Sequence, residues 1–416
     1  MHLVLLYSMQ YRHLDFLFND AAHRLGPGTD FAAYYNAGVF YAREGNIYGH
    51  GPGFGFRYHP LFAIGFLSHL AHFKGMTAFA IWIFINEIFL MAAVFHFWKL
   101  KPVRGFFIKG VGFLALFSPL YLELFMGNAS LIVAAILFIS FYYLHRGKTG
   151  VSIGIFTLSL IIKPLGLVFF PMLLFRRKIV PVALPVFILV GTAVPYFFSN
   201  TGDFDLFWKI NSEGISQPGW VIHAGNMGFH GLLTDVCARL SGISTLELGS
   251  YSQLPGFCQA MLFALPLVLI AIAVFINSNF KDKLGICVFS WIAVYLLGYQ
   301  DVWEHSYSFV LLGLAFLYIE NSVPKKLLLV CSIVLALPTL FVLYDPDIIK
   351  NGTIDPEHDW NLSVSLLHHS VKPLAVLVLF GACLNEAVKK SRSKPGYLNN
   401  VMERITEWLP VAKRQK

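Results

Sequence analysis

Residues 77–98 read TAFAIWIFINEIFLMAAVFHFW, and Glu87 is the one charge in that run. A spanning α-helix needs roughly 20 mostly apolar residues, and this run meets that length. It closes on Lys99, Lys101 and Arg104. The same pattern, an apolar run closed by basic residues, recurs along the chain. Further runs lie at 105–125, 128–145, 179–199, 257–277, 284–300, 303–320, 326–344 and 371–388. Residues 149–176 are also apolar but are interrupted by Lys163-Pro164, which predicts two short helices meeting at a break. Proline removes a backbone donor and clashes with the preceding turn. At membrane depth such a break is tolerated only against protein or a polar cavity.

Composition agrees with this reading. Of 416 residues, 56% are hydrophobic and 13% are charged, whereas a soluble domain carries about 25% charged residues. The formal net charge is +8, but the cations sit in short clusters between apolar runs. That is the orientation bias of membrane loops, not a nucleic-acid surface. Of five cysteines, Cys287, Cys331 and Cys383 lie inside apolar runs and read as packing residues. Cys237 and Cys258 fall in or beside a long loop, which leaves a disulfide between them open. No spacing of Cys and His reads as a metal site.

Placing every basic cluster in the cytoplasm gives a consistent zigzag. Four stretches then face outward: residues before about 76, the turn Gly127-Asn128, the loop from about 200 to 256, and the pair Gln300–His305 and Tyr344–Lys372. The run Pro60–Phe73 is too short to span and carries His69 and His72, so it reads as an interfacial or re-entrant helix on that face. Residues 1–18 carry Arg12, His13 and Asp15. They make a poor span and lack the features of a signal peptide. Either this is an atypical first helix, or the chain begins downstream of its natural start. The expected fold is an all-α polytopic integral membrane protein with about eleven to twelve transmembrane helices, outer-face interfacial helices and a re-entrant or broken helix pair.

Residues able to do chemistry gather on the outward stretches. Asp30 opens a short helix after Gly26-Pro27-Gly28; it is either a helix cap or a general base at the membrane surface. Arg57, in Arg57-Tyr58-His59-Pro60, either anchors at the headgroup level or meets a lipid phosphate. Lys163 is an intramembrane lysine, which snorkels or neutralises a phosphate. Gln300-Asp301-Val302-Trp303-Glu304-His305 packs ionisable groups into one turn, where His305 can move protons and Glu304 can orient it. Glu123, Asn128, Asn86 and Glu87 add polar groups within or at the ends of spans, and Asn226 lies in the long loop. Gly51-Pro52-Gly53-Phe54-Gly55 lacks the strand and nucleotide-fold context of a phosphate loop and is set aside.

The order of motifs resembles a known family. Asp30-Phe31 with Tyr34-Tyr35 and Ala37-Gly38 is followed by Tyr48 and then by Phe56-Arg57-Tyr58-His59-Pro60-Leu61-Phe62. Gly127-Asn128-Ala129-Ser130 and Ile162-Lys163-Pro164 come next, closed by Arg176-Arg177-Lys178. This resembles the GT-C superfamily of membrane glycosyltransferases over residues 29–320. Within it the chain is similar to glycosyltransferase family 87, the polyprenol-phosphate-mannose-dependent α-mannosyltransferases. The resemblance implies a GT-C fold over 1–388 and a basic cytoplasmic tail over 389–416, whose segment 397–408 reads as an amphipathic helix.

It further implies a hexosyltransferase in the plasma (inner) membrane with its site on the extracytoplasmic face. A hexose, mannose in the family, would pass with inversion from a polyprenyl-phosphate sugar donor to a lipid or glycan acceptor. Asp30 would be the catalytic base, and Lys163, Arg57 and His305 would bind the donor phosphate. Tyr34, Tyr35, Asn128, Asn226 and Glu304 would bind acceptor or sugar, and Trp220 and Trp303 would stack on sugar faces. No nucleotide, nucleic acid or cofactor is implied, and no metal site is visible; a divalent ion shared by Asp30 with Glu304 or Glu123 stays open. The competing readings are a lipid-linked sugar flippase or transporter, an O-antigen ligase or polymerase, and a membrane assembly subunit. A transporter should show related halves, and none is evident. The long loop carries only Lys209 and Arg239 as cations, fewer than a ligase of that type uses.

Overall fold

The computed structural model describes residues 26–48, 55–102, 106–176, 179–213, 222–244, 248–280, 283–339 and 360–392, together with Tyr7, Tyr11 and Phe18. The first-span question at 1–18, Trp220, Gly51–Phe54 and the tail beyond 392 lie outside the described residues. Every regular element among the described residues is helical, and one isolated antiparallel bridge pairs Asn226 with Trp303.

Helix α1 (Thr29–Glu44) is followed by α2 (Pro60–Leu70), whose middle, Ala63–Leu67, is π-helical. Then come α3 (Gly75–Leu100), α4 (Phe106–Leu116), α5 (Ser118–Met126) and α6 (Ser130–His145). The apolar stretch after it forms α7 (Thr149–Ile162) and α8 (Pro164–Phe175), which begins as a 3₁₀ turn. The order continues with α9 (Val180–Ser199), α10 (Thr201–Glu213), α11 (Phe229–Leu240), α12 (Gly256–Asn279) and α13 (Leu284–Gly298). A 3₁₀ turn, Glu304–Phe309, leads into α14 (Val310–Glu320), followed by α15 (Lys325–Ala336) and α16 (Leu362–Arg392).

The fold class expected from the sequence is the one observed, an all-α polytopic membrane protein with a broken helix pair. Among the described residues four helices, α3, α9, α12 and α16, are long and apolar enough to cross a membrane, or five if α5 and α6 form one bent span. Several other apolar stretches are built from two short helices each. Pro119 restarts the helix after Phe117, and the αL residue Gly127 ends α5, so that α6 leaves at 118° to it. Lys163-Pro164 splits 149–176 as expected.

Burial separates lipid-facing helices from central ones. Phe187 and Phe198 on α9 are 75% and 81% exposed, which in so apolar a chain places them against lipid. On α6, by contrast, every residue from Ser130 to Tyr142 is buried. α13 is likewise buried almost all round, so these two apolar helices lie at the centre of the bundle, surrounded by other helices.

Two glycines bring α1 to its neighbours. A Cβ on Gly38 would lie 2.3 Å from the carbonyl oxygen of Leu67, so only glycine lets α1 lie on the π segment of α2. Gly127 has φ +69, and its Cβ would lie 2.7 Å from Phe31. The start of α1 is pinned to this same bend, since Gly28 N–H donates to Phe125 O at 2.7 Å. Trp82 of α3 closes the contact by donating to Gly127 O at 2.8 Å.

Candidate functional site

The docking of α1 on the bend after α5 places Asp30 beside Asn128. Asp30 lies in the first turn of α1, behind the N-cap Gly28, and caps nothing. Its Oδ2 instead accepts from Asn128 Nδ2 at 2.8 Å. The other end of that amide, Oδ1, accepts from Lys163 Nζ at 2.9 Å and from Ala129 N–H at 2.7 Å. Lys163 Nζ also donates to Ser130 Oγ at 2.8 Å. Lys163 can reach because Pro164 bars it from the α region: its backbone is extended, φ −156 and ψ 132, and the chain turns there. The result is a continuous carboxylate–amide–ammonium line at one end of the bundle.

Electrostatics act on Asp30 in both directions. Burial raises its carboxyl above the ordinary value; the Asn128 hydrogen bond, then Lys163 and Arg57, pull it down, and Asp301 adds a small upward push. The side chain keeps 30% of its exposure, so the carboxylate is reachable. His305 Nε2 stands 3.8 Å from Asp30 Oδ2, beyond a hydrogen bond, so the imidazole lies beside the carboxylate. The buried His305 Nδ1 has no hydrogen-bond partner.

Several expected residues are occupied otherwise. Asn226 is 1% exposed, and its amide is spent on the backbone: it donates to Gln300 O at 2.8 Å and accepts from Gly228 N–H at 2.8 Å and Val302 N–H at 3.0 Å. It clamps the strap 300–304 to the loop 222–228. Glu304 does not orient His305; it faces Lys372 Nζ at 3.3 Å and Ser118 Oγ at 3.5 Å. Asp301 takes the His instead, but a different one: His223 Nε2 at 3.1 Å, with the His223 ring over Trp303 at 4.3 Å. Tyr35 donates to Phe73 O at 2.8 Å, and Tyr34 is buried with its hydroxyl 3.5 Å from that of Tyr58. His59 caps α2: Nδ1 accepts from Leu61 N–H at 3.2 Å and Nε2 donates to Leu189 O at 2.9 Å. Cys237 and Cys258 are free thiols packed together.

Three contributors were not singled out by sequence reasoning for the parts they play. Ser130 receives Lys163. Glu123 is fully buried and spends Oε1 on Leu131 N–H at 2.8 Å, while Oε2 has no partner. Lys372 is the third. It is fully buried on α16, donating to Leu335 O at 2.9 Å and Leu337 O at 2.7 Å as well as to Glu304. The sequence signal was present: Ser365, His368, His369 and Lys372 recur at helical spacing as one polar stripe. His368 Nε2 donates to Ala224 O at 2.8 Å and His369 Nδ1 to Asn226 O at 2.6 Å. The stripe thus holds the loop and strap that carry His223, Asp301 and His305.

Replacing Lys372 with Met leaves Glu304 a buried, unpaired carboxylate. Breaking a buried pair from one side costs about 3–5 kcal/mol, so the thermal midpoint of the purified protein falls, and the double variant Lys372→Met/Glu304→Gln recovers a large part. A single variant as stable as the wild type would show that the pair does not hold the strap.

These features define a multi-pass membrane protein, helical throughout its described residues, with a carboxylate–amide–ammonium line at one end. Residues 56–298, more than half of the chain, match glycosyltransferase family 87, and the chain belongs to that family. It is therefore a membrane glycosyltransferase. The matched region contains Arg57, Asn128, Lys163 and Asn226, whereas Asp30 and His305 lie outside it. No curated protein matches the chain.

Proposed function

We propose that this glycosyltransferase moves a hexose, with mannose the first candidate, from a polyprenyl-phosphate donor to a lipid or glycan acceptor at the extracytoplasmic face of the plasma membrane. The observation that carries the reading is the bridging of Asp30 and Lys163 by one amide. Inverting transfer needs a base for the acceptor hydroxyl and positive charge for the departing phosphate, on opposite sides of the sugar. A carboxylate and an ammonium joined through Asn128 supply one group of each kind, which supports this reading.

Asp30 takes the acceptor proton as the hydroxyl oxygen attacks the anomeric carbon and the bond to the phosphate oxygen breaks. Lys163, with Arg57, stabilises the charge gathering on that phosphate. His305, with its unpartnered Nδ1, meets the phosphate or the acceptor. One carboxylate suffices because the leaving group is already a stabilised anion, unlike the paired carboxylates of glycoside hydrolysis. Tyr34 and Asn128 shape the wall near the sugar. The strap that Asn226 and Glu304 hold, and the aromatic edge that Tyr35 anchors, frame the acceptor side.

The test is transfer of radiolabel from polyprenyl-phosphate-mannose to membrane lipids or glycans by the purified enzyme in vesicles. A panel of other polyprenyl-phosphate sugars and nucleotide sugars runs beside it. Labelled product from a polyprenyl-phosphate sugar alone supports the donor class. Product from a nucleotide sugar alone removes it.

A further inference from the structure

On the orientation proposed above, α12 starts at the extracytoplasmic face. Lys281 and Lys283 follow its last turn, whereas residues 248–255, which lead into its first, carry no charge. Basic residues mark the cytoplasmic end of a span. Cys258 lies in that first turn, and Cys237 lies near the end of α11. The two thiols share a small apolar cluster, apart from the main core, with Ile222, Leu248, Leu254 and Leu262. Cys237 is 2% exposed, and Cys258 is half-buried. Their side chains meet in a hydrogen bond. Cys287 and Cys383 neighbour each other too, but near the basic, cytoplasmic ends of α13 and α16, where thiols are kept reduced.

The backbone on both sides of the outward pair is held. Ser241 N–H and Oγ donate to Cys237 O at 3.1 Å and 2.6 Å, closing α11. Ser250 and Gln253 cap the turn Tyr251–Gln253 reciprocally, and Gln259 Nε2 donates to Leu254 O at 2.8 Å, which fixes that turn against the start of α12. A disulfide joins residues whose β-carbons stand roughly 4 Å apart, and thiols already in contact need little movement to reach that. The pair is also chemically unequal. Burial, then the contact with Cys258, pushes the Cys237 thiol up to about 12, so by itself it stays protonated and inert. Cys258 is the member that an exchange partner reaches.

We propose that Cys237 and Cys258 form a structural disulfide in the folded enzyme, an inference that rests on the outward orientation. The oxidant is the disulfide of a thiol oxidase in that compartment. Cys258, as thiolate, attacks one sulfur of the oxidant and releases the other. Cys237 then gives up its proton and attacks Cys258 Sγ, and the oxidant leaves as a dithiol. Two thiols are oxidised to one disulfide, the oxidant's disulfide is reduced, and its two sulfurs take up the two protons. The bond ties α11 to a spanning helix. α11 in turn holds the start of α16, through Arg239 Nη1 to Trp360 O at 2.7 Å and Ser365 Oγ to Asp235 Oδ2 at 2.5 Å. The loop that carries His223 and Asn226 is thereby braced from both sides.

The experiment takes membranes from bacterial cells expressing the full chain, blocks free thiols at lysis, and maps the peptides without reductant. The expected result is a linked Cys237–Cys258 peptide, two hydrogens lighter than the sum of its parts, with Cys287, Cys331 and Cys383 recovered as blocked thiols. Reduction lowers the thermal midpoint of the purified enzyme by several degrees. Cys258→Ser melts with the reduced wild type and is indifferent to reductant. A linked pair whose reduction leaves the midpoint unchanged overturns the structural role. Both cysteines recovered as blocked thiols overturn the bond itself, and oxidised glutathione added in detergent then separates the causes. Linkage in detergent alone means that the orientation is wrong; none in either means that the geometry is. Neither outcome bears on the transfer chemistry, since neither cysteine belongs to the Asp30–Asn128–Lys163 line.

Discussion

Asp30→Asn is expected to lower transfer about 10³-fold or more, the usual contribution of a positioned general base, while the protein accumulates and melts as the wild type does. The separation of the two effects follows from the geometry. Asp30 caps no helix, so α1 loses no capping interaction. The one hydrogen bond it accepts from a side chain, from Asn128 Nδ2, can be accepted as well by the carbonyl oxygen of an asparagine. What the substitution removes is proton affinity. Transfer rates measured in vesicles at matched protein level decide the matter: near-normal turnover by the variant would remove Asp30 from the chemistry.

The second large effect is that of Lys163→Met. Withdrawing the cation from the departing phosphate is expected to reduce turnover by about 10²–10³-fold. It also has a signature that simple loss of binding would lack. Lys163 lowers the Asp30 carboxyl toward its ordinary range against the pull of burial. Without it, the Asp30 carboxyl titrates higher still. A base works only when deprotonated, so the acidic limb of the pH–rate profile moves to higher pH in Lys163→Met, and the alkaline side is not displaced by this cause. An acidic limb that stays in place, or moves down, would show that Lys163 does not feel Asp30 across the amide.

The parts of this site legible in the sequence were those with a local physical cause. Lys163 stood out because a lysine in an apolar run is costly, and Pro164 announced that the helix would break there. Asp30 stood out from its place at a helix start after Gly26-Pro27-Gly28. Asn128 followed a glycine that could end a helix. That the three form one line was not legible, because Asp30 and Asn128 are 98 residues apart and Asn128 and Lys163 are 35 apart. The approach depends on what Gly127 and Gly38 leave empty.

Glu304 shows the same limit from the other side. Next to His305 in the chain, it is paired in space with Lys372, because the 3₁₀ turn sends consecutive side chains apart. The surroundings of each apolar helix were hidden for a related reason. Hydropathy registers that α6 and α13 avoid water, but not whether protein or lipid surrounds them.

The amide of Asn128 has a consequence of its own. Its two ends are unlike, and the charges on either side fix which way it points: the NH₂ group toward the carboxylate, the oxygen toward the ammonium. Were lysine and aspartate in direct contact, each would quench the other, leaving a base too weak to take a proton from an alcohol and a cation with no field to spare. The amide works as a dielectric spacer. It lets the lysine draw the Asp30 carboxyl down against the pull of burial while it holds the two charges apart. In that sense one uncharged side chain sets the working voltage of the site.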